Sequence, residues 1–366
     1  MMQSVIDKSE FKKLFNTLRG HYSIVGPVAR DGVIVLDRVD YDEIPSGFED
    51  IQQPGHYRLS KEHDSFFSFR PGPDSLKKFL HPSLFIQHSF DRSKKTGFIN
   101  AEHDRGKPYA FIGVRACDIT ALDRMNRVFE GIDGSECGYF GQREIFIAAI
   151  ACSRPSGNCF CSSMNSGPDI KKGFDILLTE LTNVFMVEIG SEKGKHVCTN
   201  LNARPATAQE AEEKKRRTEE CSTFMKKTMD IDDMPHFLYR QFESSVWTEV
   251  AERCLACGNC TQVCPTCFCN TSFDLVTLSG MKKQNEFSGK RMKKWDSCFS
   301  RNFARVHGGN FRLSRRARYR HWFNHKFGYW LEQYGVSGCV GCGRCITWCP
   351  VGIDVTEEME RLRGRC

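Results

Sequence analysis

Residues 254–265 read CLACGNCTQVCP, and residues 339–350 read CVGCGRCITWCP. Each stretch carries four cysteines spaced by two, two and three residues, with a proline directly after the last. No other internal repeat is present. In C-x2-C-x2-C three thiolates wrap one 4Fe-4S cubane, and the cysteine before proline ordinarily ligates the other cluster of a pair. Each motif is therefore incomplete without its twin. This reading assigns Cys254, Cys257, Cys260 and Cys349 to one 4Fe-4S cluster, and Cys339, Cys342, Cys345 and Cys264 to a second. Gly258, Gly341 and Gly343 suit close passage of backbone beside a cluster, and Pro265 and Pro350 end the turn. Zinc is the competing metal, but its sites are usually written as separated CxxC pairs. Disulfides are disfavoured, because cysteines two apart within one turn make a poor framework.

Working outward, residues 265–338 separate Cys264 from Cys339, a wider gap than in small two-cluster ferredoxins. Helical stretches at 234–252 and 312–334 lead into them, which predicts a helical ferredoxin-type domain. The 366-residue chain has room for roughly two domains. Hydrophobic content of 40% and charged content of 27% are those of a globular protein. The apolar run IFIAAIAC (145–152) is too short to span a bilayer. The amino terminus has charges where a signal peptide needs an apolar stretch. The expectation is a cytoplasmic protein without a membrane partner, whose nineteen cysteines serve metal rather than an exported disulfide framework.

Before the motifs the pattern is mixed. Val5, Phe11, Leu14, Phe15 and Leu18 predict one helical face over 3–18. Two strands turn at Arg30-Asp31-Gly32, and a short helix over 74–80 is capped by Asp74 or Ser75. A strand at 109–114, a helix at 119–129 and a strand ending at Cys152 form a βαβ unit, with Cys117 in its connection. Strands near 174–179 and 184–189 form a hairpin. The fold class is α+β: a mixed α/β domain with a central sheet (1–204), a charged helical linker (205–232) and a helical two-cluster domain (233–366).

The βαβ reading brings Cys117, Cys152, Cys159 and Cys161 to one sheet edge, where α/β sites form. These four thiols could ligate a third iron–sulfur cluster or a zinc ion, or could be buried core residues. Asp118 could tune a cluster there or cap the helix. Cys267, Cys269 and Cys298 either add ligands, with His307, or pack around the clusters. Cys137, Cys198, Cys221 and Cys366 show no pattern and read as free thiols. From Lys290 to Lys326 twelve Lys and Arg residues face one acid, Asp296, with aromatics interleaved. Cluster screening and docking of an acidic partner are favoured there over nucleic acid, and the aromatics are read as packing.

The chain resembles the beta subunit of sulfhydrogenases, the cytoplasmic NAD(P)-linked nickel–iron hydrogenases that also reduce sulfur. It is also similar to the electron-transfer subunit of anaerobic sulfite reductases. The motifs that carry the resemblance span nearly the whole chain: IVGPVARDGVIVLD (24–37), PGHYRL (54–59), GVRACDITAL (113–122), CSRPSGNCFCSS (152–163), CLACGNCTQVCPTCFCN (254–270), WDSC (295–298) and CVGCGRCITWCPVGID (339–354). The resemblance implies an electron conduit between hydrogenase small and large subunits and a flavin-containing NAD(P)H-binding subunit. It carries over directly onto the two cluster quartets and less directly onto the early one. Neither GxGxxG nor GxxxxGK[ST] occurs, which suits a relay with no substrate site and no catalytic residue of its own.

Overall fold

The computed structural model describes residues 4–62, 64–91, 96–100, 106–130, 144–277 and 288–364. Cys137 and Cys366 lie outside the described residues. The architecture is mixed α/β around an eight-stranded central sheet. Its spatial order is Arg204–Pro205, Ser4–Asp7, Val184–Ile189, Ile176–Glu180, Ile145–Ile150, Tyr109–Val114, Ser23–Arg30 and Val33–Arg38. The four strands from Ile176–Glu180 to Ser23–Arg30 run parallel to one another, and antiparallel strands complete both edges. IFIAAI and ILLTE are almost wholly buried, which is why they read as continuous apolar runs instead of alternating ones.

The amino terminus differs from the expected single helix. Val5 belongs to the strand Ser4–Asp7, and the helix begins at Glu10, burying Phe11, Leu14, Phe15 and Leu18. Pairing of Ser4–Asp7 with Val184–Ile189 decides this, a long-range contact that helical periodicity cannot register. The predicted hairpin at Asp31-Gly32 is present, with φ of 48° and 76° at those residues, as its tight turn requires. The short helix is Lys77–Leu80 and has no side-chain cap. Asp74 instead accepts from the Leu36 N–H at 3.1 Å. Ala116–Glu130 forms the crossover helix, so Cys117 stands in its first turn.

The charged stretch after residue 205 forms the helix Ala208–Thr223, with Thr207 and Glu210 bonded as a capping box. The long helix expected over 234–252 is two helices, Met234–Arg240 and Val246–Arg253. The break falls where the Trp247 Nε1–H donates to the Gln241 carbonyl at 2.7 Å, in place of a helical amide. The later helix runs from Arg315 to Tyr334 through a π-helical segment, His325–Tyr329. A second sheet joins Asn270–Thr277, Ser288–Trp295, Leu84–Asp91 and Thr96–Asn100 in that order. It draws strands from both sides of residue 233. Aromatic and aliphatic side chains from 160 to 362, among them Trp247, Tyr319, Trp322 and Phe323, make one core around the cysteine motifs.

Candidate iron–sulfur centre

The two motifs have the same local geometry. Each follows a helix or turn into its first cysteine, and the amide two residues on donates back to that sulfur: Ala256 N to Cys254 Sγ at 3.3 Å, and Gly341 N to Cys339 Sγ at 3.4 Å. Ala256 and Gly341 both have positive φ, 54° and 59°. Gly258 and Gly343, also left-handed, then open the short helices Asn259–Gln262 and Arg344–Thr347. Amides aimed at sulfur favour the thiolate form and tune any cluster bound to it.

Each fourth cysteine neighbours thiols of the other motif: Cys349 those of Cys254 and Cys260, and Cys264 those of Cys339 and Cys345. Cys254, Cys257, Cys260 and Cys349 line one cavity together with Cys345 of the second motif, walled by Phe299, Tyr319, Trp322 and Ile353. Cys260 lies closest in electrostatic terms to Cys254, Cys349 and Cys257, with Cys264 next. Cys264 joins the other motif: Cys345 is within reach of Cys339, Cys342 and Cys264. Cys260 and Cys345 also reach each other, so the two groups adjoin. Burial pushes the Cys339 thiol up to about 12, and it holds Cys260 and Cys345 well above the ordinary range. Such thiols ionise when a metal takes the sulfur. The first group reaches the surface at Cys257, which is exposed, beside the exposed Leu255 and Val351.

Zinc, the competing metal, makes a different demand on these donors. Among the described residues no group of three or more Cys, His, Asp or Glu side chains could hold a single metal ion. Tetrahedral zinc, with Zn–S near 2.3 Å, needs its sulfurs roughly 3.8 Å apart. A cubane sets each thiolate on a separate iron and so spreads them farther. No described cysteine is in a disulfide. A cubane needs four thiolates, each on its own iron, and each group of four cysteines can supply them.

Around Cys264 lies a further set of thiols. Cys267 donates its S–H to Cys264, which with Lys326, Thr266 and Lys77 holds the Cys264 thiol far down. Cys298 donates likewise to Cys269 and draws it down to about 7. Two buried cations frame the set. Lys77 Nζ lies 2.9 Å from the carbonyls of Gln262 and Cys264, and 3.2–3.3 Å from those of Cys267 and Thr261. Lys326, in the π-helical segment, donates to Thr266 Oγ1 at 2.8 Å and to the Gly338 carbonyl at 2.9 Å. His307 is not among these thiols; it is exposed at the turn between Arg305–Val306 and Gly309–Asn310.

The amino-terminal part closes over the second motif. The Phe160 N–H donates to the Gly341 carbonyl at 2.9 Å, and Ser166 Oγ to that of Val340 at 2.7 Å. The PGHYRL stretch does the same, with the Gly55 N–H on the Ile346 carbonyl at 3.0 Å and Tyr57 stacked on Trp348. Asp118, considered as a cap or cluster-tuning residue, forms a two-pronged ion pair with Arg344 at 2.9 and 3.0 Å. Cys152, Cys159 and Cys161 come together at the sheet edge. The leading thiol neighbours of Cys117 are Cys342 and Cys161. Cys221, read as a free thiol, faces the early cysteines. Cys198 is half-buried on its own short helix.

Much of the basic stretch is engaged internally. Arg291 pairs with Asp274, Arg316 and Arg320 with Glu243, and Arg315 donates to the Cys254 carbonyl. Tyr319, Trp322 and Phe323 are buried, so these aromatics do pack. Among the described residues no helix is long and apolar enough to cross a membrane.

This cysteine geometry has a counterpart among known proteins. Residues 253–353 match the family of 4Fe-4S dicluster domains, which makes this an iron–sulfur protein. Over 335 residues the chain is 34% identical to the sulfhydrogenase 2 subunit beta of Pyrococcus furiosus, covering 87% of this chain and 96% of that one. The chain belongs to the sulfhydrogenase beta-subunit family. No solved structure matches it.

Proposed function

We propose that this chain is the electron-relay subunit of a multi-subunit hydrogenase. It passes electrons between the hydrogenase small and large subunits and a flavin-containing NAD(P)H-binding subunit. The observation that supports this reading is that Cys349 neighbours Cys254 and Cys260 of the first motif while Cys264 neighbours Cys339 and Cys345 of the second. When bound, a 4Fe-4S cluster takes up and returns one electron at a time. Cys254, Cys257, Cys260 and Cys349 hold one cluster, and Cys339, Cys342, Cys345 and Cys264 the other. Phe299, Tyr319 and Trp322 wall the inner side of the first group, whose outer corner is Cys257. Lys77 and Lys326 place positive charge beside the second, which offsets four thiolates and favours the reduced state. Cys267, Cys269 and Cys298 tune the Cys264 side through hydrogen bonds. The basic stretch screens the clusters, and its unengaged part docks an acidic partner.

The test is anaerobic purification with a tag on this chain. Copurifying nickel-bearing and flavin-bearing subunits are the expected result. A copurifying siroheme protein would move the chain to a sulfite reductase complex, the alternative that its similarity to the electron-transfer subunit of those enzymes raises. Cys349→Ser should remove the paramagnetic signal of the first group and spare that of the second. Loss of the second signal alone would overturn the exchanged assignment.

A further inference from the structure

We infer that Cys152, Cys159, Cys161 and Cys221 hold a third iron–sulfur cluster, with Cys221 of the linker helix as its fourth ligand. The inference rests on the iron–sulfur reading above. The set is closed: each of the four sulfurs is in electrostatic reach of the other three. Cys117, the fourth cysteine that the sheet edge suggested, shares only Cys161 of this set among its leading neighbours and otherwise faces Asp118, Arg344 and Cys342.

The linker helix supplies an independent observation. Ala208–Thr223 is charged nearly throughout, and the one side chain it buries is Cys221, which is 0% exposed. Its attachments are polar: the half-exposed pair Arg204–Glu210, the more buried pair Lys214–Glu188, and the Thr182 N–H and hydroxyl donating to Glu213, and the exposed pairs among them contribute little. A polar helix with a single buried residue lacks an apolar stripe to seat it. A thiolate–iron bond from that residue supplies the missing anchor. The same helix covers the site, since Arg217 and Thr218 line a small cavity with Cys152 and Ser153. Just beyond it, Ser162 Oγ reaches Met225 Sδ at 3.0 Å, tying the CFC loop to the chain that leaves the helix.

The surroundings suit an anionic cluster. Arg115 is 2% exposed, and its hydrogen bonds go to the carbonyls of Ala151, Phe67 and Phe69. Buried charge requires a counter-charge, and Cys152, whose neighbour Ala151 supplies one of those carbonyls, is the thiol that bears most on Arg115. Arg70 stands beside Cys159 and Cys221. The Ser156 hydroxyl lies 3.1 Å from Cys159 Sγ, where it can donate to a thiolate. Cys161 also reaches Cys342 of the second motif, so the third site extends the row of two.

The experiment counts iron and acid-labile sulfide on the anaerobically purified holoprotein, with Mössbauer and paramagnetic spectra. The wild-type chain should carry about twelve irons, against about eight for two cubanes alone. Cys221→Ser should fall to about eight irons and keep both carboxy-terminal signals, which also shows that the variant folds. Cys117→Ser should keep all three signals. A wild-type count of about eight overturns the third site and leaves the two-cluster relay standing, whereas iron-free protein would sink that reading as well. Full iron in Cys221→Ser, or loss of the third signal in Cys117→Ser, overturns the ligand assignment. Should Cys221→Ser not fold, the wild-type count and Cys117→Ser still decide.

Discussion

Asp118 and Arg344 are 5% and 2% exposed and meet through one hydrogen bond, Arg344 Nη2 to Asp118 Oδ2, and a second close ion-pair contact, with Arg344 Nε also on the Gly72 carbonyl. Taking two charges out of water is costly, and their attraction recovers that cost only while both are present. Asp118→Ala should therefore cost about 3–5 kcal/mol in chemical denaturation, because it strands the guanidinium. Replacing both partners by apolar residues of similar volume should cost much less. Equal losses in the single and double variants would show that volume, not charge, matters there. Legibility at this scale was uneven. Twin motifs announce themselves because all of a motif's ligands lie within twelve residues. Cys221 does not, since one cysteine in a charged helix has no local pattern to belong to. The only available signal was compositional: it is the one thiol among residues 205–232. Asp118 misled for a related reason. Its place near a helix start suggests a cap, while its partner lies 226 positions away.

At the scale of elements, the loop 158–166 and the second motif are pressed together at two glycines. A Cβ on Gly341 would come within 2.6 Å of the Phe160 backbone, and one on Gly343 within 2.4 Å of the Asn158 carbonyl oxygen. Gly341→Ala combines that collision with a left-handed φ. It should destabilise by about 2–4 kcal/mol and shift or abolish the second group's paramagnetic signal. An unchanged spectrum and unfolding midpoint would show that the loop is not seated there. The helix Ala208–Thr223 offers a different test. Thr207→Ala removes the cap that accepts the Glu210 N–H, at a cost of about 1 kcal/mol. Amide exchange should then quicken in the first turn of the helix and stay slow around Cys221. Local chemistry made several of these elements readable. The Asp31-Gly32 turn and the apolar runs at 109–114 and 145–150 are written in adjacent residues. The broken helix over 234–252 was not readable, because Trp247 competes for a backbone carbonyl and periodicity is blind to that.

Across the whole molecule, the two halves are built into each other. Ser288–Trp295 pairs with Leu84–Asp91 along a register from Lys294↔Leu84 to Ser288↔Asp91. Lys77 enters from the amino-terminal half to bond the turn after Cys260, and Arg124 donates to the Ser337, Cys339 and Met164 carbonyls. A fragment spanning 233–366 should thus unfold without a cooperative transition and bind fewer than about eight irons. A sharp transition with both clusters retained would show that the motif half stands alone. Such long-range pairing leaves no trace in a local window, which is why three consecutive segments were the natural reading of the chain.

Cys257 and Leu255 open the first group to solvent, while the second is enclosed by the Phe160 loop and the PGHYRL hairpin. That difference in cover gives the protein an order of decay in air. On the proposed reading dioxygen would meet the cluster of the first group at its bare corner, and iron should leak there while the sheltered neighbour still holds its colour. A preparation briefly exposed to oxygen would then be half bleached, a wire cut at its outer end.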